Sequence, residues 1–349
     1  MENLLAVQQK IIPEMVELLD KRYHILKKIY YNQPIGRRGL SQELNLGERI
    51  VRTEVNFLKE QGLLNVNSIG MVVTEEGENI LNSLEELIHS INGLSVIEEK
   101  LQGYLNISKV VVIPGNLDED ETVLKEMGRV AAEYVKNLIN DNSIISLTGG
   151  SSVAQVIENF PRVSKNDVLV VPARGGMGRD VETQANSLAS RLASKIGGNY
   201  KLLHVPDNIS HEALETMLNE PDIKETIDYI TKADILIFGI GRADEMSRRR
   251  GMSEESIQEL LSQGAVAEAF GYYFNERGEI IYISPTMGLN YSDVGVIKNV
   301  IAVAGGKNKA NAIIATKIHN NSQALITDEG AAKEIIKIVE SGNNFNDYR

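Results

Sequence analysis

The sequence predicts an α/β protein in two parts, a small helical module followed by a larger domain built on a doubly wound parallel sheet. The 349 residues suffice for about two domains, and 42% of them are apolar, enough for a sizeable core. From about residue 107 onward, short apolar runs alternate with helical patterns, which is typical of a parallel sheet covered by helices. Basic residues are concentrated near the amino terminus instead.

Charge separates the two parts. The chain as a whole has a formal net charge of −12, which taken as an average argues against a nucleic-acid partner. Residues 21–74 nevertheless contain nine Lys or Arg and four Asp or Glu, so this segment is +5 and the rest of the chain is −17. A small basic module joined to a large acidic domain indicates two different kinds of partner.

Composition excludes several classes of site. The chain has no cysteine, which excludes disulfides, a thiolate nucleophile, cysteine-bound zinc and iron–sulfur clusters. Its five histidines are not spaced as a helical metal pair, so we expect neither a metal nor a bound cofactor. No run approaches 18 apolar residues and the first twenty lack a signal-peptide pattern, so we expect a cytoplasmic protein without membrane contact.

The basic module has the pattern of three helices and a hairpin. Apolar residues at helical spacing predict a first helix over Tyr23–Tyr31, and Ser41 is a suitable N-cap for a short second helix. A third helix is predicted over Glu48–Gln61, and residues 63–74 read as two short strands. These are the parts of a winged helix-turn-helix, whose third helix enters the major groove of DNA.

One face of the third helix carries the candidate base contacts. Its polar side chains follow i, i+3, i+4, i+7 spacing and form one stripe, while Ile50 is expected to face inward. Arg pairs with guanine, Asn pairs with adenine, and Thr contacts a thymine methyl group or a phosphate. The alternative is the solvated face of a packing module. In a domain placed at residues 1–78, the candidate DNA-binding residues are Arg38, Ser41, Arg49, Arg52, Thr53 and Asn56.

A hydrophobic repeat follows at residues 79–106. Its spacing alternates between three and four and resembles a short coiled-coil seam, which predicts self-association as a dimer or tetramer. An amphipathic helix packed on its own domain is the alternative. The residues of the repeat are Ile80, Leu84, Leu87, Ile91, Leu94, Leu101 and Leu105.

The acidic domain, residues 107–349, has seven predicted strands with helices between most of them. A hairpin of Ala267–Phe274 and Glu279–Ser284 interrupts this alternation. Near-continuous apolar strands favour a parallel sheet with both faces covered. The predicted strands are Lys109–Pro114, Ser143–Leu147, Asp167–Pro172, Lys201–Val205, Asp234–Gly239, Val300–Val303 and Ala324–Thr327.

Four glycine loops follow strands of this domain, where ligands bind in open α/β sheets. They are Thr148–Ser152, Arg174–Gly176, Gly239–Gly241 and Gly305–Lys309. Amides at a helix N-terminus together with Arg and Lys suit a phosphate, so we expect the loops to converge on a phosphorylated small molecule. No triphosphatase loop and no nucleophile elbow are present. Glu268 has no histidine beside it as an acid or base partner, which favours binding over turnover.

The order of motifs resembles a known family. The blocks TGGSSV, VVPARGG, FGIGRADEM, AVAEAFGYYF and IAVAGGKNKANAI follow a helix-turn-helix and a linker, as in the SorC/DeoR-like sugar-binding bacterial regulators. The resemblance covers nearly the whole chain. It implies an effector domain similar in fold to phosphosugar isomerases that works as a sensor. It also implies a repressor of an operon for the triose-phosphate part of glycolysis, bound to double-stranded operator DNA and relieved by fructose 1,6-bisphosphate.

The resemblance also implies a set of effector-binding residues. A loop of glycines and hydroxyls would hold one phosphate, and further cations and polar groups would surround the sugar. Which arginine of the Arg248–Arg250 run reaches the ligand stays open, and both this run and Gln184 could simply be solvated surface. The positions that match the family are Gly149, Gly150, Ser151, Ser152, Arg174, Gln184, Arg250, Glu268 and Lys309.

Two other functions stay open at this stage. The acidic domain could be an active phosphosugar isomerase or deaminase with an appended DNA-binding module. Alternatively, it could be a sugar-phosphate sensor whose amino-terminal module binds protein. A sensor that represses transcription, without enzymatic activity, is the function we favour.

Overall fold

The computed structural model describes residues 11–175, 180–205, 211–285, 287–316 and 323–341. It divides into two compact units, Met1–Val96 and Ile97–Arg349. This division falls inside the segment that the sequence marks as the linker. Within the described residues, no helix is long and apolar enough to cross a membrane.

The smaller unit consists of helices around one apolar core, with a two-stranded antiparallel hairpin. Its deepest side chains come from all three predicted helices and from the hairpin, as Ile29, Leu40, Val51 and Met71 illustrate, each 1% exposed or less. The prediction of a winged helix-turn-helix is confirmed. The elements are α1 (Pro13–Asn32), α2 (Arg37–Glu43), α3 (Glu48–Glu60), β1 (Leu64–Val66), β2 (Met71–Val73) and α4 (Glu75–Ile91).

Two local predictions for this unit are wrong. Ser41 lies inside α2, whose N-cap is Gly36, because the helix begins early enough to bury Leu40 completely. Ile50 is 46% exposed. Successive residues of a helix are about 100° apart, and the buried side of α3 is centred on Val51 and Val55, so Ile50 falls outside it.

A buried carboxylate fixes α3 on α1. Glu54 accepts hydrogen bonds from Lys21 at 2.6 Å and from Arg22 at 2.9 Å, and the Arg22 guanidinium lies 3.6 Å from the centre of the Phe57 ring. Burial alone would raise the pKa of Glu54, but the hydrogen bonds from the two cations outweigh it and lower the pKa. The ion pairs therefore hold α3 in place at neutral pH, and their contribution is lost as the pH falls through that pKa.

The predicted linker helix consists of two helices. Leu81 and Ile88 of α4 are buried in the core of the smaller unit, so the alternative of a helix packed on its own domain describes α4. The chain turns at Gly93, whose φ is +64°, and α5 (Leu94–Leu105) follows. Beyond the division, Glu98 accepts the backbone N–H of Val112, which ties α5 to the larger unit.

The larger unit is built on a seven-stranded sheet in the order β3-β13-β12-β7-β4-β5-β6, with every neighbouring pair parallel. The chain runs outward from β4 in one direction and from β7 in the other, so the sheet is doubly wound as predicted, with its switch point between these strands. The strands are β3 (Lys109–Ile113), β4 (Ile144–Leu147), β5 (Leu169–Pro172), β6 (Asn199–Tyr200), β7 (Ile235–Gly239), β12 (Asn299–Val303) and β13 (Gln323–Asp328).

Helices connect the strands of the larger unit and cover its sheet. Those that border the functional region are α7, which follows β4, and α11, which follows β7. The helices are α6 (Thr122–Leu138), α7 (Ser151–Asn159), α8 (Ala185–Ile196), α9 (His211–Met217), α10 (Pro221–Thr231), α11 (Ala243–Arg249), α12 (Glu254–Ser262), α13 (Tyr291–Val294), α14 (Ala310–Ala315) and α15 (Glu329–Ser341).

One predicted strand is displaced. The edge strand is Asn199–Tyr200, not Lys201–Val205. Leu203 is fully buried, but its N–H and C=O are hydrogen-bonded to the side chain of Asn186 instead of a neighbouring strand. This segment is therefore apolar because it is buried, and within the described part of the chain Leu203 makes no backbone hydrogen bonds to a neighbouring strand.

The predicted hairpin forms part of a smaller, four-stranded antiparallel sheet. Its order is β11-β10-β9-β8. The predicted first strand, Ala267–Phe274, is in fact two strands, because Phe270 and Gly271 both have positive φ and reverse the chain. The strands are β8 (Gly241–Arg242), β9 (Ala265–Ala269), β10 (Tyr272–Asn275) and β11 (Ile280–Ile283).

Candidate functional site

A cavity of about 440 Å³ opens at the switch point of the parallel sheet. The loop after β4 and the loop after β7 form two of its walls, because the carboxyl ends of these adjacent strands meet there. Strand β9 and helix α11 supply further walls, and Lys309 reaches it from the loop after β12. Ligand pockets commonly measure about 300–1,000 Å³.

The loop after β4 presents backbone amides to the cavity. Gly150 has a φ of +117° and donates its own N–H to the carbonyl of Thr183 at 2.9 Å. The first intrahelical bond of α7 is made by Ala154, so the amides of Ser151, Ser152 and Val153 have no acceptor within the helix. Such a helix N-terminus, with two hydroxyls beside it, suits an anion.

Close packing requires a glycine at position 149 of this loop. A Cβ on Gly149 would lie 2.6 Å from the carbonyl oxygen of Thr183. The chain before α8 therefore packs directly on the loop. Gln184, predicted as a ligand contact, is the N-cap of α8 and does not line the cavity.

A buried carboxylate between two buried arginines forms another part of the cavity wall. Glu268 of β9 accepts a hydrogen bond from Arg250 at 2.5 Å and one from the N–H of Gly271 at 2.6 Å, both through Oε1. The same oxygen lies 3.8 Å from Nη1 of Arg174. The three side chains are each 3–5% exposed. Two positive charges thus share one negative charge at this wall.

Two glycines that the sequence did not single out make room for Arg174. A Cβ on Gly271 would lie 2.5 Å from Nη1 of Arg174, and a Cβ on Gly288 would lie 2.5 Å from its Cα. The backbone around Arg174 pairs with that around Gly288. These contacts join residues about a hundred positions apart, so no local pattern identifies them.

The structure distinguishes the three consecutive arginines. Arg249 and Arg250 line the cavity. The side chain of Arg248 is 50% exposed and lies near carboxylates of Asp244 and Glu254. Arg249 is therefore an additional candidate ligand contact. The arginine of this run that reaches the ligand is now to be sought between Arg249 and Arg250.

The loop after β12 differs from expectation. Its Gly306 N–H donates to the buried carboxylate of Asp328, and the N–H of Asn308 donates to Asp118. These amides bind the protein's own carboxylates and do not face a ligand. From this loop only Lys309 lines the cavity, and burial lowers its pKa against the opposing effect of Glu245.

Several other lining residues were not predicted individually, although Glu245, Met246 and Phe270 lie within the motif blocks that carry the family resemblance. Asp180, Thr183, Glu245, Met246 and Phe270 line the cavity and were not predicted. They follow glycine loops or begin short helices, but their types are common at protein surfaces. Only the tertiary fold brings them together.

The second candidate surface is the outer face of α3. Arg49, Arg52, Thr53 and Asn56 are all exposed, as the helical spacing predicted. Nη2 of Arg37 donates to Oδ1 of Asn56 at 3.1 Å, which orients the amide group.

The two other predicted DNA-binding residues of the same unit, Arg38 and Ser41, differ in exposure. The Arg38 side chain is 89% exposed. The Ser41 hydroxyl instead donates to the carbonyl of Leu46 and stabilises the turn before α3. Arg38 is therefore the better placed of the two for contact with another molecule.

The two candidate surfaces lie in segments of the chain that match two different family models. Residues 18–88 match the family model "CggR N-terminal DNA binding domain", and residues 89–337 match the model "Putative sugar-binding domain". The chain is 42% identical over 339 residues to the central glycolytic genes regulator of Priestia megaterium, covering 97% of this chain and 99% of that protein.

Two further relatives support the same grouping. The central glycolytic genes regulator of Bacillus subtilis is 40% identical over 338 residues, covering 97% of this chain and 99% of that protein. A crystal structure of a "putative SorC family transcriptional regulator" from Enterococcus faecalis is 40% identical, with a TM-score of 0.64, and covers 69% of this chain and 99% of that one.

Proposed function

This chain belongs to the SorC family of sugar-binding transcriptional regulators, and from that membership we propose that it represses genes of central glycolysis until a phosphorylated sugar releases it. The effector we propose is fructose 1,6-bisphosphate. The observation that carries the proposal is the cavity at the switch point, which is lined by a helix N-terminus and by two buried arginines.

Charge supports an effector that carries more than one phosphate. Of the residues that the structure describes, four cations line the cavity, Arg174, Arg249, Arg250 and Lys309, together with the three acids Asp180, Glu245 and Glu268. The cavity therefore has a positive balance inside a domain that is strongly acidic. The cations and the α7 amides bring several anion-binding groups to one cavity, which suits a sugar with more than one phosphate.

Binding without turnover is part of the proposal. Oε1 of Glu268 is engaged by Arg250 and the Gly271 amide, so we infer that this carboxylate positions Arg250 and does not act as a general base. No histidine is found among the described residues that line the cavity. These features support a sensor.

The two surfaces must be linked for the effector to act on DNA. A ligand shifts DNA affinity only by preferring one conformation of the protein over another, and the coupling is reciprocal. The proposal includes a dimer or a dimer of dimers, because paired recognition helices suit an operator with two-fold symmetry.

We expect fructose 1,6-bisphosphate to weaken operator binding. The probe is a labelled duplex selected from random sequence by the full-length protein, and the measurement is fluorescence anisotropy during titration with the sugar. Fructose and inorganic phosphate are the controls, since each lacks part of the ligand. A duplex complex that is unchanged by every glycolytic phosphate would contradict the proposal, as would an equal response to fructose.

Arg52→Ala is expected to weaken binding to the selected duplex by about 1–3 kcal/mol, because a bidentate contact to a base is lost. Arg38→Ala is the matched comparison. Its exposed side chain suits a phosphate, so its loss should lower the slope of log affinity against log salt by about 1 at every sequence. Measuring both variants over a range of salt on specific and random duplexes separates base contact from phosphate contact. Identical behaviour of the two would show that Arg52 reads no base.

A further inference from the structure

An apolar side chain stands on the DNA-facing helix. Ile50 is the third residue of α3 and is 46% exposed, although its neighbours on the outer face are charged or polar. Val51 and Val55 occupy the buried side completely, so Ile50 cannot turn into the core without rotating the helix. Residues near the N-terminus of a recognition helix contact the edges of the bases.

Ile50 belongs to a line of apolar groups beside the polar stripe. Ile50, Thr53 and Phe57 are spaced i, i+3, i+7 and therefore share one side of the helix. The hydroxyl of Thr53 donates to the carbonyl of Arg49, so its methyl group is the part left for another contact. Phe57 is half-buried beneath the guanidinium group of Arg22, so Ile50 and Thr53 are the more accessible members of this line.

The outer face of α3 thus has two chemically different edges. One edge has the amide and guanidinium groups of Arg49, Arg52 and Asn56, which hydrogen-bond to bases. The other has the side chain of Ile50 and the methyl group of Thr53. In the major groove the 5-methyl group of thymine is the apolar feature of the base edges.

We propose that Ile50, together with the methyl group of Thr53, recognises thymine by packing against its 5-methyl group. The inference rests on the proposed function as a DNA-binding repressor and adds a specificity-determining residue to it. Packing one methyl group out of water changes an affinity by roughly fourfold, from the ordinary gain per buried methyl or methylene group.

The test removes the methyl group from the DNA and the isoleucine from the protein separately. Full-length protein first selects a duplex from random sequence, and each thymine of that duplex is then replaced by deoxyuridine, which keeps base pairing. For the wild type, replacement at one or more positions should weaken binding about fourfold. Ile50→Ala should bind the thymine duplex more weakly by a similar factor and should be insensitive to the same replacement.

Ile283→Ala is the matched control, because Ile283 is 56% exposed and lies on β11 of the larger unit, outside the stripe, the hydrophobic repeat and the cavity. It should keep the wild-type dependence on thymine. Circular dichroism melting checks that Ile50→Ala remains folded, as expected for a half-exposed side chain. Wild-type binding that is insensitive to every deoxyuridine overturns the inference, as does an Ile50→Ala variant that keeps the methyl dependence. Failure to select any duplex overturns the repressor proposal as well, so the two failures are distinguishable.

Discussion

Arg250→Met is expected to abolish most of the response to the effector. Arg250 is buried on the wall of the cavity, and methionine keeps much of its volume while removing the charge and its hydrogen bonds. In the proposed complex Arg250 pairs with a phosphate of the effector, and losing one partner of such a buried pair across an interface costs about 2–5 kcal/mol, so effector affinity should fall by roughly 30-fold or more. The measurement is the rise in melting temperature that fructose 1,6-bisphosphate gives to the protein.

Arg248→Met provides a control within the same run of arginines. The side chain of Arg248 is half-exposed, lies near surface carboxylates and does not line the cavity. Exposed pairs contribute little, about 0–1 kcal/mol, so this variant should keep the stabilisation by the effector. If Arg248→Met lost the response and Arg250→Met kept it, the assignment of the two arginines would be reversed.

Gly271→Ala is expected to impair effector binding through Arg174. The added Cβ would lie 2.5 Å from Nη1 and 3.1 Å from Cζ of Arg174, closer than ordinary contacts allow. Because a guanidinium group moves more readily than a strand, Arg174 should shift away from Glu268 and from the cavity. We expect at least a tenfold loss of effector affinity, from the loss of a charged hydrogen bond of about 1.5–3 kcal/mol.

The backbone cost of this change can be separated from the displacement of Arg174. Gly271 has a φ of +89° and Gly251 has a φ of +70°, but no atom lies within 4 Å of a Cβ at Gly251. Both alanine variants should therefore lose about 1–2 kcal/mol in urea denaturation because of the left-handed backbone. Only Gly271→Ala should also weaken effector binding. Equal effector affinities in the two variants would refute the role of the close contact between Gly271 and Arg174.

The features that the sequence predicts correctly are local ones. Helical spacing placed Arg49 and Asn56 on one exposed stripe, and glycine after a buried strand located the loop before Ser151. Apolar runs of four to six residues identified six of the seven strands of the sheet. Each of these signals is contained within a few neighbouring residues, so it does not depend on contacts with distant parts of the chain.

The features that it missed depend on distant partners. Ser41 is a good N-cap by type, but burial of Leu40 sets the start of its helix. The amides of the Gly305–Gly306 loop were expected to face a phosphate, yet the carboxylate of Asp328 takes the Gly306 amide. The room for Arg174 is made by Gly271 and Gly288, and no pattern near Arg174 indicates it.

The lowered pKa of Lys309 has a consequence for how the effector is held. Burial disfavours the ammonium form in the empty cavity, whereas a phosphate placed beside it would restore that form. Binding would then draw a proton from the solvent wherever the free protein carries Lys309 partly neutral, on the alkaline side of its titration. By linkage, we expect the proposed effector to bind less tightly as the pH rises through that range, so the repressor would respond to acidity as well as to the metabolite.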